Sequence, residues 1–254
     1  MALKTPGEID GMREAGRVVA RALQACREAA AVGVTMKELD QVARDVIFGA
    51  GATSPFLNYH PSWAPTPFPG VICASVNDEV VHGIPTDYAI ADGDLVSIDC
   101  GATLDGWTGD AAVSFVVGNA RPEDLELIAT TERALEAGIA ASTVGNRIGD
   151  IGYAIDKIAR KARYGNLEDH GGHGIGHTMH EDPFIPNEGR RHKGGELRAG
   201  MTIAIEPMFI LGGSGAYRYG DDGWTLLSRD GGRAAHVEHS IAITDDGPVI
   251  LTAL

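Results

Sequence analysis

The sequence predicts an α+β fold with a pseudo-two-fold internal repeat, because three features occur twice in the same order. Residues 91–99 resemble residues 198–206, since in each segment a glycine precedes a strand-like stretch that ends in an acid six residues later. A His-x-x-Pro element lies upstream of each strand, at residues 82–85 and 180–183. A pair of predicted helices precedes each of these elements. The shared order predicts two related halves with a site on the axis between them.

The helices of the two halves follow one plan. In the first half a helix is predicted over residues 8–31, and a second begins at Thr35, where Thr35 and Glu38 have the spacing of a capping box. In the second half a helix is predicted over residues 123–141, followed by another that extends to about Lys161. Apolar residues recur at helical spacing in these segments, so we expect each helix to bury one face.

Four acidic residues lie in strand-like segments, where carboxylates are unusual. They are Asp99, Asp110, Glu206 and Glu238. Period-2 alternation places each acid on a face with small side chains, which leaves space beside it. Buried, unpaired carboxylates cost several kcal/mol, and four that face one space repel each other. Two divalent cations would neutralise four negative charges, so the pattern predicts a dinuclear metal site. The alternative is four unrelated acids, each hydrogen-bonded or solvated.

A run of four histidines and four glycines at residues 170–180 offers further ligands. That many glycines disfavour a helix but let the backbone pass close to a ligand. Because the run precedes an acidic strand, we expect at least one histidine ligand. A histidine among carboxylates favours Mn, Fe(II) or Co over structural zinc, which needs closed Cys/His ligation, and over Ca²⁺, which does not favour imidazole.

Composition limits the classes of protein that fit. The 254 residues are 44% hydrophobic, enough for one sizeable core, and we expect a single domain over residues 1–254 with halves at about residues 1–119 and 120–254. The net charge of −14 argues against nucleic-acid binding, since phosphate contacts need a basic surface. Neither a membrane-spanning run nor a signal-peptide pattern is expected. Three widely spaced cysteines fit a reducing compartment, so we predict a cytoplasmic protein.

The two halves differ in the connection between their acidic strands. Asp99 and Asp110 are close enough for a tight hairpin through residues 102–106, whereas residues 206–238 contain a long, glycine-rich excursion. This excursion contains Tyr217, Tyr219 and Trp224. Long loops in compact domains are commonly binding elements, so we expect this one to contact a ligand.

Five motifs are spread along the chain: residues 77–85 (Asn-Asp-Glu-Val-Val-His-Gly-Ile-Pro), Asp99 with Asp110, residues 172–176, residues 205–207 and residues 238–240. Together they resemble the type I methionine aminopeptidases, and the resemblance covers nearly the whole chain. It implies the pita-bread fold, in which helices pack outside curved antiparallel sheets. The short spacing between His180 and Glu206 fits type I, since the type II enzymes carry a helical insertion there. No N-terminal zinc-finger extension is expected, which resembles the short bacterial form.

The resemblance also implies a site and a reaction. It implies two divalent metal ions bound by five residues, which are Asp99, Asp110, His173, Glu206 and Glu238. It gives His82 and His180 catalytic and substrate-binding roles, and we interpret Glu206 as a general acid–base as well. The implied reaction removes the N-terminal methionine from nascent proteins and peptides, with a preference for a small second residue. A monomer is expected, and contact with the ribosome is left open.

A methionine side chain needs an apolar pocket, for which we predict the walls Tyr59, Cys73, Met179 and Trp224. Cys73 and Met179 are equally consistent with ordinary core positions. The chain departs from the family pattern at residues 60–69, where an inserted segment leaves Trp63 or Phe68 to replace a second aromatic residue.

Other protein classes fit the sequence less well. A proline-specific peptidase (Xaa-Pro aminopeptidase or prolidase) shares the fold and the ligands, but such enzymes carry an added N-terminal domain. A non-catalytic peptide-binding relative would be expected to lack metal ligands, and here all five are present. A carboxylate-bridged redox site would need the helix-borne Glu-x-x-His pairs of di-iron bundles, which this sequence does not contain.

Overall fold

A computed structural model describes residues 2–254, which form four helices and fourteen strands. The helices are α1 (Pro6–Ala29), α2 (Met36–Gly49), α3 (Pro122–Ala141) and α4 (Ile148–Ala162). The strands are β1 (Ile72–Val76), β2 (Glu79–Val81), β3 (Asp94–Leu104), β4 (Trp107–Val117), β5 (Gly165–Asn166), β6 (Gly171–Gly174), β7 (Glu181–Pro186), β8 (Thr202–Ile205), β9 (Met208–Ile210), β10 (Tyr217–Tyr219), β11 (Leu226–Ser228), β12 (Ala234–His236), β13 (Glu238–Thr244) and β14 (Gly247–Ile250).

The strand order of the central sheet displays the internal repeat. Its main path is β1-β3-β4-β13-β8-β6-β7, and β14 pairs with β13. Every pair in this sheet is antiparallel. Strands β1, β3 and β4 of the first half therefore meet their counterparts β6, β8 and β13 at the β4–β13 pair. The predicted α+β fold with a pseudo-two-fold repeat is confirmed.

The helices cover the outer face of this sheet in two apolar clusters, one for each half. Leu39 of α2 belongs to the same buried cluster as Ile98 of β3, and Leu127 of α3 belongs with Ile203 of β8 in the second cluster. Each fully buried side chain of this kind stabilises the fold by about 1.5–3 kcal/mol. Because side chains alternate along a strand, Asp99 points away from the helices and into a cavity on the inner face.

The predicted capping box at the start of α2 is present. Thr35 N–H donates to Glu38 Oε2 at 2.7 Å, and Glu38 N–H donates back to Thr35 Oγ1 at 3.2 Å. These bonds satisfy backbone donors that the first helical turn leaves free. The first predicted helix ends earlier than expected, at Ala29 instead of residue 31.

The connections between the acidic strands differ from expectation. Residues 102–104, predicted as part of a turn, extend β3, and only Asp105 and Gly106 form the turn, with φ of 49° and 81°. Two residues with positive φ match the twist of a hairpin, so a two-residue turn suffices. The glycine-rich excursion of residues 206–238 is also more ordered than a loop. Its strands find partners in β2 and β5, which gives the small sheets β10-β11-β2 and β12-β9-β5.

Two further properties of the described chain are the character of its helices and the state of its cysteines. Within residues 2–254, no helix combines the length and apolar character needed to cross a bilayer. Cys26, Cys73 and Cys100 are all buried and form no disulfide in the described chain.

Candidate active site

Strands β3, β4 and β13 bring three of the four predicted acids to one face of the central sheet. Asp99 and Glu238 are both cross-strand partners of Ala112, one from each side of β4. Asp110 lies two residues before Ala112 and therefore on the same face. Glu206 directly follows β8, the strand that pairs with β13 on its other side. All four acids line one cavity, as the sequence predicts.

Burial makes these carboxyl groups hard to ionise without a cation beside them. Desolvation raises the pKa of Asp99 from 3.8 to about 7 and that of Glu206 from 4.5 to about 8. Desolvation first, and then the neighbouring acids, raise the pKa of Asp110 and of Glu238 well above their ordinary values. Four carboxylates therefore cannot all be charged here unless positive charge lies among them.

Several buried polar atoms at this site have no hydrogen-bond partner among residues 2–254. They are Oδ1 of Asp99, Oδ1 of Asp110, Oε1 of Glu238, Nδ1 of His82 and Nε2 of His236. Such orphaned atoms are rare in folded proteins and call for an ion or other ligand. Ligand atoms also converge within 4.8 Å of one another in two groups, Asp110 with His173 and Glu238, and Glu206 with His236 and Glu238. The residues present therefore fit divalent metal ions.

His173 on β6 lies beside Glu206, and a glycine permits this approach. A Cβ at Gly172 would collide with the carbonyl oxygen of Ala204 on β8, so a larger residue would hold the strands apart. His173 Nδ1 lies 2.9 Å from the Gly174 carbonyl oxygen, which places the proton on Nδ1. Its Nε2 then directs a lone pair toward the site, 3.7 Å from Glu206 Oε1. Burial lowers the pKa of His173 to about 4, so the ring is neutral and able to bind a metal.

The histidines of the two His-x-x-Pro elements also line the cavity. His82 has left-handed backbone geometry with φ of 61°, a conformation that costs a non-glycine residue about 1–2 kcal/mol. Desolvation lowers the pKa of His82 to about 3, so its ring is neutral. His180 is exposed, with its ring centroid 4.4 Å from that of His173 and its Nδ1 3.3 Å from the Tyr59 hydroxyl.

The sequence prediction did not include His236, which the structure places among the acids. Its Nε2 lies 3.6 Å from Glu206 Oε2 and 3.7 Å from Glu238 Oε2. A signal was present, because His236 precedes Glu238 by two residues and period-2 alternation puts both on one face. The interruption between β12 and β13 at Val237 does not change this orientation.

An apolar wall encloses one side of the cavity, whose volume is about 660 Å³. The residues predicted as walls all line it, namely Tyr59, Cys73, Met179 and Trp224. Phe68 and Trp63 both line it as well, so the predicted choice between them is not exclusive. Phe68 is buried and packs edge-on against Trp224 at 5.1 Å, whereas Trp63 is 52% exposed at 5.0 Å from Trp224. Phe56, which the sequence did not single out, belongs to the same apolar cluster.

The remaining aromatic and histidine residues divide between the cavity and the scaffold. His170 and Tyr219 line the cavity. Tyr217 does not line it and packs edge-on against His170 at 5.1 Å. His177 stacks on Trp107 at 3.9 Å and contacts the carbonyl oxygen of the hairpin turn, so it belongs to the scaffold.

Fold and site together define a metallopeptidase. The family model described as metallopeptidase family M24 matches residues 10–245, and the chain belongs to that family. Methionine aminopeptidase 1 of Mycobacterium tuberculosis is 52% identical over 98% of this chain and 94% of its own length. Methionine aminopeptidase 1 of Bacillus subtilis is 42% identical over 98% of each chain.

Solved structures give the same result. The crystal structure of methionine aminopeptidase from Thermotoga maritima has a TM-score of 0.95 at 38% identity and covers 100% of both chains. Prolidase from Pyrococcus furiosus has a TM-score of 0.76 at 23% identity, with 65% of its chain covered, and shows a likeness of fold alone. The predicted family, the pita-bread fold and a metallo-aminopeptidase that removes N-terminal methionine are confirmed. Neither the proline-specific nor the non-catalytic alternative is favoured.

Proposed function

We propose that this chain removes N-terminal methionine with two divalent ions bound by Asp99, Asp110, His173, Glu206 and Glu238. The observation that carries the proposal is the convergence of four buried carboxyl groups and a neutral imidazole on one cavity with an apolar wall. Oxygen-rich ligation with imidazole favours Mn, Fe(II) or Co. Such ions, when bound, supply Lewis acidity that holds a free amine, polarises a carbonyl and lowers the pKa of water.

Glu206 is proposed to move the proton during hydrolysis. Without metal, burial raises the pKa of its carboxyl to about 8, whereas bound ions would keep this carboxylate charged. It would accept a proton from the attacking water and return it to the leaving amine. Glu206 lines the cavity beside His173, so its carboxylate is placed to exchange a proton with a molecule held there, which supports this role.

His82 and His180 are proposed to hold the scissile peptide. The Tyr59 hydroxyl lies 3.3 Å from His180 Nδ1, and in the tautomer where it donates to Nδ1 the hydrogen on Nε2 would donate to the scissile carbonyl oxygen as charge develops there. His82 is neutral and its Nδ1 has no partner in the described chain, so it is free to accept a hydrogen bond from the scissile amide. Both roles consist of hydrogen bonds to the substrate, and neither requires a change of charge on the ring.

The apolar wall is proposed to select methionine. Tyr59, Cys73, Met179 and Trp224 surround a space suited to an unbranched thioether, which packs favourably against aromatic edges. Trp63 stands beside His82 at the mouth, with ring centroids 6.5 Å apart, and would restrict the second residue of the substrate to small side chains.

We infer that the chain works as one catalytic domain with halves at about residues 1–119 and 120–254. Asp99 and Asp110 come from the first half and Glu206 and Glu238 from the second, so neither half holds a complete site. The substrate is proposed to be the N terminus of nascent polypeptides in the cytoplasm, processed by a monomer.

A peptide panel tests the proposed function. The protein is stripped with EDTA, reloaded with Mn, Fe(II) or Co, and incubated with Met-Ala-Ser, Met-Lys-Ser and Ala-Pro-Ser, with products read by mass spectrometry. Cleavage of Met-Ala-Ser alone, only after reloading, is expected. Cleavage of Ala-Pro-Ser would favour the proline-specific alternative, and no cleavage with any metal would favour the non-catalytic one.

A further inference from the structure

His236 is held rigidly with its ring among the acids. The residue is 2% exposed. Its backbone N–H donates to Ser114 Oγ at 3.0 Å, and the same hydroxyl donates to its carbonyl oxygen at 2.8 Å. Ser114 in turn pairs with Ser97 at 2.7 Å, so two neighbouring strands fix the backbone of His236. The scaffold therefore fixes the backbone of His236, and burial confines its ring to the site.

The ring nitrogen that faces the acids makes no hydrogen bond. Nε2 lies 3.6 Å from Glu206 Oε2 and 3.7 Å from Glu238 Oε2, distances that are too long for a hydrogen bond. Nε2 is buried and has no partner within residues 2–254. Two carboxylate oxygens and a ring nitrogen at this spacing leave a gap that a cation would fill, because metal-to-ligand bonds are about 2.1 Å long.

We propose that His236 is a sixth protein ligand of the metal centre and binds through Nε2 the ion that Glu206 and Glu238 share. The proposal rests on the proposed function, since it assumes that the acids bind metal. His173 faces Oε1 of Glu206 and His236 faces Oε2, so an imidazole lies on each side of this carboxylate.

A second imidazole changes which metals the centre prefers. Imidazole suits the later first-row ions, whereas Mn²⁺ is better matched by carboxylate and water. The affinity of this centre for Co²⁺ relative to Mn²⁺ is therefore higher than one histidine alone would give. The alternative is that His236 only orients the Glu206 carboxylate and does not bind an ion.

The test compares His236→Gln with His239→Gln. Glutamine keeps polar character at position 236 but removes the imidazole. His239 is next to Glu238 on the same strand, but its Nδ1 contacts Thr252 Oγ1 at 2.8 Å and it is in neither ligand group, so its variant controls for local damage. The chain is loaded with Co²⁺, and X-ray absorption counts imidazole ligands per ion. Competition titrations give the ratio of Co²⁺ to Mn²⁺ affinity.

We expect about one imidazole per Co²⁺ ion in the unmodified chain and in His239→Gln, and about half that number in His236→Gln. The Co²⁺-to-Mn²⁺ affinity ratio is expected to fall about tenfold in His236→Gln only. An unchanged imidazole count in His236→Gln would overturn the proposal. A crystal structure of the unmodified Co²⁺-loaded chain decides the matter even if that variant does not fold: Nε2 about 2.1 Å from an ion supports ligation, and beyond about 3 Å refutes it. Ions bound without His236 refute this inference alone, whereas no ion at the acids refutes the proposed function as well.

Discussion

Asp99 and Glu238 lie opposite the same residue, Ala112, from the two sides of β4. Their carboxyl groups come from different halves of the chain, yet only one residue, Ala112 of β4, lies between them across the sheet. The repeat thus creates the site at the boundary between halves, where strands β4 and β13 meet. Neither carboxyl group has enough donors of its own: Oδ1 of Asp99 and Oε1 of Glu238 are both unsatisfied within the part of the chain described.

Replacing Asp99 with Asn should abolish turnover. The change removes one negative charge from the ligand set while keeping its shape, and loss of a ligand costs more than the 10–100-fold typical of supporting residues, so we expect a fall of more than about a hundredfold. Peptide hydrolysis with excess metal measures this. Asp105→Asn, in the exposed turn of the same hairpin, should retain full activity. Near-normal turnover of Asp99→Asn would contradict the dinuclear site.

Replacing His82 with Ala should lower kcat by about a hundredfold while the metal content stays at two ions per chain. The reason is that His82 is proposed to contact the scissile amide and not an ion. Elemental analysis of the purified variant, alongside steady-state kinetics, separates these effects. His177→Ala provides the control, because His177 stacks on Trp107 away from the site. Loss of metal from His82→Ala would instead make His82 a ligand.

Replacing Trp224 with Ala should raise KM for methionine peptides by about tenfold and leave metal affinity unchanged. Trp224 is 3% exposed and packs against Tyr59 and Phe68, so its removal opens the apolar wall that is proposed to hold the methionine side chain. Losing such a contact costs on the order of 1–3 kcal/mol of binding. Steady-state kinetics and a metal titration check both parts. An unchanged KM would exclude Trp224 from the pocket.

Metal removal should make stability sensitive to alkaline pH. The folded-state pKa of Asp99 is raised to about 7 and that of Glu206 to about 8, so the metal-free fold binds more protons than the unfolded chain and loses stability as pH rises through these values. His82 and His173 have lowered pKa values, so their titration changes the stability of the fold only below their ordinary pKa of 6.5. The Tm of EDTA-treated protein should therefore fall from pH 6.5 to above pH 8.

The matched measurement is the same titration with Mn²⁺ present. Bound ions keep the carboxylates charged in the folded state, so the fall in Tm should largely disappear. A metal-free Tm that is flat or rises over this interval would contradict the buried, mutually repelling arrangement of the acids.

The Lys4–Glu181 ion pair should matter for stability. Lys4 Nζ lies 2.8 Å from Glu181 Oε2, and the Lys4 side chain is only 4% exposed. Lys4→Met would leave Glu181 without its cation, at a cost on the order of 2 kcal/mol in the free energy of unfolding. Arg17→Met breaks an exposed pair with Glu14 and should cost less than about 1 kcal/mol. Denaturant unfolding of both variants makes the comparison, and equal losses would contradict it.

Local rules predicted much of the fold. Thr35 and Glu38 form their cap because the required groups are three residues apart. Strand alternation in turn determines which face of the sheet carries the side chains of Asp99 and Asp110. The positions of these acids relative to one another depend on which strands pair, and the internal repeat was the only sequence signal of that pairing.

Other features depend on contacts between distant segments. Phe68 and Trp63 both reach the cavity because the Trp224 indole donates to the Thr66 carbonyl oxygen at 3.0 Å and anchors residues 60–69. No local pattern encodes that bond. His236 could have been found by alternation from Glu238, but a lone histidine in an apolar strand is equally consistent with a structural role until Glu206 is placed beside it.

The four acids and His173 are proposed to bind a pair of cations. Anomalous diffraction from a crystal loaded with Mn²⁺ tests this proposal directly. Two peaks about 3.5–4 Å apart are expected, with Asp110 and Glu238 within coordination distance of both. Full Mn²⁺ loading with no peak among these side chains would contradict it.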